Sequence, residues 1–358
     1  MSPITPPLSL PVEQRAFQAR ILTADPFIAI GCTTPATPMG AAPYVAARVG
    51  DRDALWLTVL HWTLETGDLR DRIAACWRAF APSFPRHRVL MLCNTPRELA
   101  LLEEAGVPAM LCNHNVLVSE RLYDVRAGEA KLYDAVYNAR MLRYKRHALA
   151  RAIARLAVIY YDVESAEEGY FAEVRAALPH AVFVNEAMAK AGYGRLANAR
   201  AQALAAELIA ARSYVGLRPE TVAETLNRAQ VGLCLSAAEG AMYASMEYLL
   251  CGLPVVSTAS LGGRDAFFAP EYSRIVPAEP HAIADAAAAL ARAAPPAGEI
   301  RARTLARVLP MRAALRARVA EIAGERAGVD AAWERLFAGR WWQWTTIDDF
   351  CAAFATAG

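Results

Sequence analysis

Short apolar runs alternate with longer stretches of helical pattern along this chain, and no other feature restricts its fold as much. The runs that predict buried strands lie at 26–31, 55–61, 88–93, 107–112, 133–138, 156–161, 181–186, near 213–216, and at 231–236 and 253–258. Thr95 to Glu98 form a capping box with Pro at the first helical position, so a helix should begin there. This order predicts βαβ units and therefore an α/β fold with parallel sheets.

The length of 358 residues is enough for two domains with cores of their own. A polar stretch, 119–131, separates the early runs from the later ones and predicts an interdomain linker. We expect an N-terminal Rossmann-like domain over 1–125, with the tail 330–358 packing back on it. A second Rossmann-like domain should cover 126–329.

Charge and cysteine usage limit the function. The net charge is +2, so no overall field attracts nucleic acid. The seven cysteines form no CxxC pair, which favours free thiols in a reducing compartment and argues against structural zinc. No signal-peptide pattern begins the sequence, and no apolar stretch reaches the roughly 18 to 20 residues that span a bilayer. We expect a cytoplasmic protein.

Two acids follow the apolar run 231–236. Glu239 should lie at the carboxyl end of a parallel strand, where open α/β sheets bind ligands. The amides of a helix over about 242–251 lie beside it and suit an anion. Glu247 is two turns along that helix. The two carboxylates could hold sugar and ribose hydroxyls, or they could be a capping Glu and an ion-paired helix Glu.

A second cluster follows the strand that ends near Asn138. Arg140 and Lys145 flank the predicted start of a helix near Lys145. Two cations beside the positive end of a helix dipole favour a diphosphate site. A solvated basic helix start is the alternative. The chain has only three lysines, so Lys145 stands out in a sequence whose basic residues are nearly all Arg.

These two clusters resemble the retaining GT-B glycosyltransferases of family 4, the glycosyl transferase group 1 type. The shared signature is Glu239, seven residues, Glu247, then the Gly-Leu-Pro-Val-Val run 252–256 and the Gly-Gly pair 262–263. Arg140 and a Lys five positions on match the family's diphosphate pair. The resemblance covers about 131–290. It implies a GT-B fold, in which two Rossmann-like domains face a cleft, here with a reduced N-terminal domain of about four strands.

The resemblance also implies roles for single residues. Glu239 would hold the hydroxyls of the donor sugar. Arg140 and Lys145 would neutralise the diphosphate leaving group. The other donor-site residues would be Glu247 at the ribose, the amides of Gly240, Ala241 and Met242 at the phosphates, Gly216 near the base, Asn138 at the strand end, and His61 facing the sugar. For His61, capping a buried strand is an equal alternative. The sequence after Glu239 lacks the family's Gly-aromatic-Gly, which implies a reshaped sugar pocket.

The implied activity is transfer of a hexosyl group from a nucleotide diphosphate sugar, with retention, in polysaccharide biosynthesis. The acceptor would be a glycan, a lipid-linked saccharide or a protein, and a lipid-linked acceptor would bring the protein to the inner face of the membrane as a peripheral protein. No cofactor and no metal are expected, since Asp51-x-Asp53 precedes a strand instead of ending one. The alternatives are a catalytically silent GT-B scaffold that binds a glycan or nucleotide, and another GT-B enzyme such as a phosphorylase or epimerase.

Overall fold

The computed structural model describes residues 16–161, 169–191, 216–324 and 329–356. Within them the chain divides into two compact units. The first contains the residues up to Ser119 and those from Leu309 onwards, and the second runs from Glu120 to Val308. For comparison, the sequence-based bounds were 1–125 with 330–358, and 126–329.

The first unit is built on a six-stranded sheet with the order β12-β1-β2-β3-β4-β5. Strands β2 to β5 are parallel to one another, whereas β1 pairs antiparallel with both β2 and β12. The strands are β1 (Ala16–Thr23), β2 (Phe27–Cys32), β3 (Ala54–Val59), β4 (His87–Cys93), β5 (Ala109–Leu111) and β12 (Gln343–Thr346). The expectation of about four strands is wrong, because β1 and β12 complete the sheet.

Five helices of the described residues belong to this unit, and the sequence predicted the position of one of them, the helix that follows Thr95. They are α1 (Ala42–Val49), α2 (Leu69–Ser83), α3 (Pro96–Glu104), α10 (Val329–Phe337) and α11 (Ile347–Ala355). The Thr95 side chain accepts a hydrogen bond from the Glu98 backbone N–H, which confirms the predicted cap of α3. Phe350 and Phe354 of α11 are buried in the core of this unit, where they contact Trp56 and Phe27.

The second unit contains a six-stranded sheet in which every pair is parallel, in the order β11-β10-β9-β6-β7-β8. Its strands are β6 (Tyr133–Arg140), β7 (Leu156–Tyr161), β8 (Val182–Phe183), β9 (Ala229–Cys234), β10 (Val255–Thr258) and β11 (Ser273–Val276). Its helices are α4 (Tyr170–Ala177), α5 (Val184–Ala191), α6 (Pro219–Asn227), α7 (Tyr243–Leu250) and α8 (Pro280–Ala293), while α9 (Ala297–Ala323) contains the division between the units.

Two local expectations in this unit are wrong. The run 181–186 is a strand for only two residues and then continues as α5. No α-helix begins near Lys145; instead two 3-10 helices, Arg143–Lys145 and His147–Ala152, join at Arg146, whose φ of 54° is left-handed. Because no α-helix begins at Lys145, the argument from a helix dipole at that residue fails. Most of the predicted stretch near 213–216 lies outside the described residues.

Candidate functional site

Glu239 lies in the loop between β9 and α7, at the carboxyl edge of the second sheet. Its backbone N–H donates to the Leu261 carbonyl at 3.1 Å, and the Leu261 N–H donates to Ala237 at 3.0 Å. The loop after β9 is thus fastened to the loop after β10. The Glu239 carboxylate is buried although it is charged, which requires partners close by.

The main partner of Glu239 is Lys145. The Lys145 ammonium donates to Glu239 Oε1, and only 4% and 7% of the two side chains are exposed. Ser236 Oγ donates to the same carboxylate oxygen at 2.6 Å. Tyr137 holds the other end of the turn, because its hydroxyl donates to the Lys145 carbonyl. The residues that the sequence separated by 94 positions therefore form one buried ion pair.

Arg140 belongs to the same neighbourhood. It is the last residue of β6 and is partly buried. Burial raises the pKa of the Tyr144 phenol, the Glu239 carboxylate raises it further, and the Arg140 cation opposes both. The Lys145 ammonium stands 5.1 Å from the centre of the Tyr144 ring. Arg140, Tyr144, Lys145 and Glu239 thus share one charged region, and Tyr144 is a member that the sequence did not reveal.

Arg264 is a buried residue that stabilises the loop carrying Glu239. The sequence interpretation also missed it. Its side chain is fully buried, and its guanidinium donates to the Ser236 carbonyl at 2.6 Å and to Ser257 Oγ at 2.7 Å. Asp265 supplies the counter-charge at 2.8 Å. Through Ser236, Arg264 fixes the loop that carries Glu239. The Gly-Gly pair before Arg264 was the only sequence signal for this loop.

Glu247 is engaged by the strand that ends in the cationic loop. Asn138 Nδ2 donates to Glu247 Oε2 at 2.8 Å, and the Asn138 backbone N–H donates to the Tyr248 hydroxyl at 2.7 Å. The structure therefore brings Asn138 and Glu247 together. Asn138 is thus one partner of Glu247, and the alternative of an ion-paired helix Glu stays open.

Gly240, Ala241 and Met242 form the turn into α7. Met242 precedes the helix with a left-handed φ of 53°, and no side-chain hydrogen bond caps the helix start within the described residues. The Gly240 carbonyl accepts from the Gly263 N–H at 2.6 Å, so the turn is tied to the Gly-Gly pair. Amides at such a helix start suit an anion, and phosphate binding there stays a prediction.

The two predicted residues that remain are Gly216 and His61. Gly216 is buried just before α6, and its neighbours 213–215 are outside the described residues. His61 belongs to the first unit, after β3, where it contacts Thr33.

Asn94 and Asn113 follow β4 and β5 in the same way; the Asn113 amide donates to the Asn94 carbonyl at 3.1 Å. A polar residue immediately after each apolar run was the signal that could have revealed this cluster.

Two features are absent from the described ranges. These ranges contain no group of three or more His, Cys, Asp or Glu side chains that could hold a metal ion. None of their helices combines the length and the apolar composition that crossing a bilayer requires.

Known proteins show the same fold. Residues 171–293 match the family model described as glycosyl transferases group 1, and this range includes Glu239 and Glu247. The crystal structure of Anabaena HepE in complex with UDP aligns at 15% identity and a TM-score of 0.50, over 75% of this chain and 72% of that one. The pneumococcal O-GlcNAc transferase GtfA in complex with UDP and GlcNAc aligns at 13% identity and a TM-score of 0.50, over 76% of this chain and 53% of that one.

No curated protein sequence matches this chain. Because both structural relatives are far below 25% identity, they establish the fold and not the activity. The predicted fold class is confirmed: the chain has the α/β architecture of GT-B glycosyltransferases, with two units that each contain a largely parallel sheet.

Proposed function

We propose that this chain is a retaining, metal-independent glycosyltransferase that uses a nucleotide diphosphate sugar as co-substrate and needs no cofactor. It would move a hexosyl group to a glycan, a lipid-linked saccharide or a protein. The observation that carries the proposal is the buried pair of Lys145 and Glu239 at the carboxyl edge of the second sheet, inside and beside the matched family range.

A buried ion pair of this kind is a weak way to stabilise a fold. Desolvation of two charges often offsets their attraction, so an apolar pair of the same volume would serve a purely structural role as well or better. Ligands of open α/β sheets bind at the carboxyl ends of strands, which is where this pair lies. A functional role therefore explains its position better than stability does.

Each member of the pair suits one part of a sugar nucleotide. A bound diphosphate would draw the Lys145 ammonium and the Arg140 guanidinium, since both are charge-assisted donors. Glu239 would then be released to accept hydrogen bonds from sugar hydroxyls. As the bond to the leaving phosphate breaks, negative charge grows on the diphosphate, and the two cations would stabilise it in the transition state.

The remaining roles follow the same assignment. Glu247, oriented by Asn138, would bind the ribose. The amides of Gly240 to Met242 would meet the phosphates, Gly216 would lie near the base, and His61 would reach the sugar. The acceptor would attack from the face that the phosphate leaves, and the leaving phosphate would take the acceptor's proton, so no side chain has to act as a general base.

UDP is the first nucleotide to test, because it is the one bound in HepE and in GtfA. The test is thermal unfolding of the whole chain with UDP-, GDP-, ADP-, TDP- and CMP-sugars, with and without EDTA. One diphosphate nucleotide should stand out, by about 2.7 kcal/mol at a roughly 100-fold excess over Kd, and EDTA should change nothing. A folded protein that responds to none of them would contradict the proposal, whereas binding without turnover would indicate the silent scaffold.

A further inference from the structure

Thr33 and His61 meet at the carboxyl edge of the first unit's sheet. Thr33 follows β2 directly, and its backbone N–H donates to the Val59 carbonyl at 3.0 Å, which extends the pairing of β2 with β3 by one residue. Its side chain is fully buried. Thr33 Oγ1 lies 3.0 Å from the His61 backbone nitrogen and 2.6 Å from His61 Nδ1. One hydroxyl thus contacts both the backbone and the ring of His61.

The hydrogens of this contact can be assigned. The His61 backbone N–H can only donate, so it occupies one lone pair of Thr33 Oγ1. The hydroxyl has one hydrogen of its own, and in the part of the chain that the structure describes its sole acceptor partner is His61 Nδ1. If Nδ1 carried a hydrogen, the buried hydroxyl hydrogen would be left without a partner, which is unfavourable because burial removes the water that could replace it.

We infer that Thr33 is a positioning residue that holds neutral His61 in the tautomer with its hydrogen on Nε2. Thr33 donates to Nδ1, so the single ring hydrogen lies on Nε2. The second nitrogen of a histidine follows from the hydrogen bond that the first one makes. Thr33 belongs to none of the sequence motifs described above.

This tautomer decides what His61 can do in the proposed transfer reaction, on which this part of the inference rests. Nε2 carries a hydrogen and Nδ1 is occupied, so His61 offers a donor to a sugar oxygen and no lone pair to an acceptor's hydroxyl. It therefore hydrogen-bonds to the substrate as a neutral donor and does not act as a general base. Thr33 acts on the reaction only through this ring.

The direct test is two-bond proton–nitrogen NMR of the whole chain labelled with ¹⁵N-histidine, at a pH where the imidazoles are neutral. The His61 signals are those missing from His61→Gln. In the wild type, Nδ1 should resonate as an unprotonated and Nε2 as a protonated ring nitrogen. Thr33→Val keeps the shape and removes the hydroxyl, so it should give a mixture of tautomers, whereas Thr33→Ser should keep the wild-type pattern.

A protonated Nδ1 in the wild type would overturn the inference, and so would an unchanged tautomer in folded Thr33→Val. With a working donor, Thr33→Val should lower kcat/KM about threefold to tenfold and Thr33→Ser should restore it. The NMR pattern needs no donor. If the predicted tautomer is found in a protein that binds no sugar nucleotide, the role of Thr33 is supported and the proposed function is contradicted. If the protein turns over a sugar nucleotide but shows the opposite tautomer, the proposed function is supported and the role of Thr33 is contradicted.

Discussion

Lys145 is the residue on which the site depends most. Lys145→Ala would leave the Glu239 carboxylate buried without its cation, and breaking a buried pair in this way costs about 3 to 5 kcal/mol. It would also remove a charge-assisted contact to the diphosphate, so turnover should fall about tenfold to a hundredfold. Denaturant unfolding and donor turnover measure the two effects separately.

The same 3-10 helix supplies the control. Arg143 forms an ion pair with Glu173 in which both side chains are about half exposed, and solvent screens such pairs so that they contribute little to stability. Arg143→Ala should therefore unfold and turn over much like the wild type. Equal behaviour of the Lys145 and Arg143 variants would show that the buried pair has no special role.

At the scale of elements, the packing of α7 on β9 connects fold and site. A Cβ at Gly232 would lie 2.4 Å from the Tyr248 ring, closer than any real contact. Gly232→Ala must therefore displace this ring, at a cost of about 1 to 3 kcal/mol. The Tyr248 hydroxyl accepts from the Asn138 backbone N–H, and Asn138 in turn orients Glu247. Binding of the sugar nucleotide should therefore weaken as well. Chemical denaturation measures the first effect and donor titration the second.

Gly298 is the matched position for this substitution. It lies near the start of α9 with nothing within 4 Å of an added Cβ. Gly298→Ala should be neutral or stabilise by up to about 1 kcal/mol. A Gly232→Ala protein as stable as the Gly298→Ala protein would contradict the described contact.

Most elements could be predicted because their signals are local. The apolar runs and the Thr95 cap gave β2 to β7, β9, β10 and α3, since the burial of a parallel strand and a capping hydroxyl are both visible in neighbouring residues. Strands β1, β11 and β12 could not be found this way. Strand β12 exposes most of Trp344 and exists because it pairs with β1, more than 300 residues earlier.

The site residues likewise divide into those that the sequence revealed and those that it did not. Glu239, Glu247, Arg140 and Lys145 carry a spacing that a sequence can reveal. The buried partner Arg264 has no such pattern, because besides its neighbour Asp265 it bonds to Ser236 and Ser257, which belong to two separate strand ends. The helix expected near Lys145 is replaced by two 3-10 helices, and Lys145 bonds to residues distant from it in the chain: its carbonyl accepts from Tyr137 and its ammonium donates to Glu239.

For the whole molecule, two buried histidines set the response to acid. Burial lowers the pKa of His114 to about 3, and burial together with the Lys145 charge lowers that of His147 to about 3. Both stay neutral in the folded chain while the unfolded chain takes up protons below about pH 6.5. Each therefore contributes stability above pH 6.5 that is lost on acidification, by about 1.4 kcal/mol per pH unit.

Glu98 works in the opposite direction. Burial raises its pKa to about 7, so the folded state keeps a proton that the unfolded state has lost, and this contribution disappears as the pH rises from about 4.5 to 7. A third buried histidine, His87, adds to the loss on acidification, because burial lowers its pKa as well. Three histidines against one acid leave a net loss of stability between pH 6.5 and 5. Unfolding free energies at several pH values should show this loss, reduced in His147→Gln and unchanged in the exposed control His180→Gln. A flat wild-type profile would contradict it.

The central claim, retaining transfer from a nucleotide sugar, is tested most directly by the configuration of the released sugar. The chain is incubated with an α-linked UDP-sugar, or with the donor that stabilises it best, and water serves as the acceptor. Proton NMR follows the anomeric signal before mutarotation. We predict that the α-anomer appears first, that Arg143→Ala releases it at the wild-type rate, and that Lys145→Ala releases it about tenfold to a hundredfold more slowly. Release of the β-anomer, or no release from a folded protein that binds the donor, would contradict the claim.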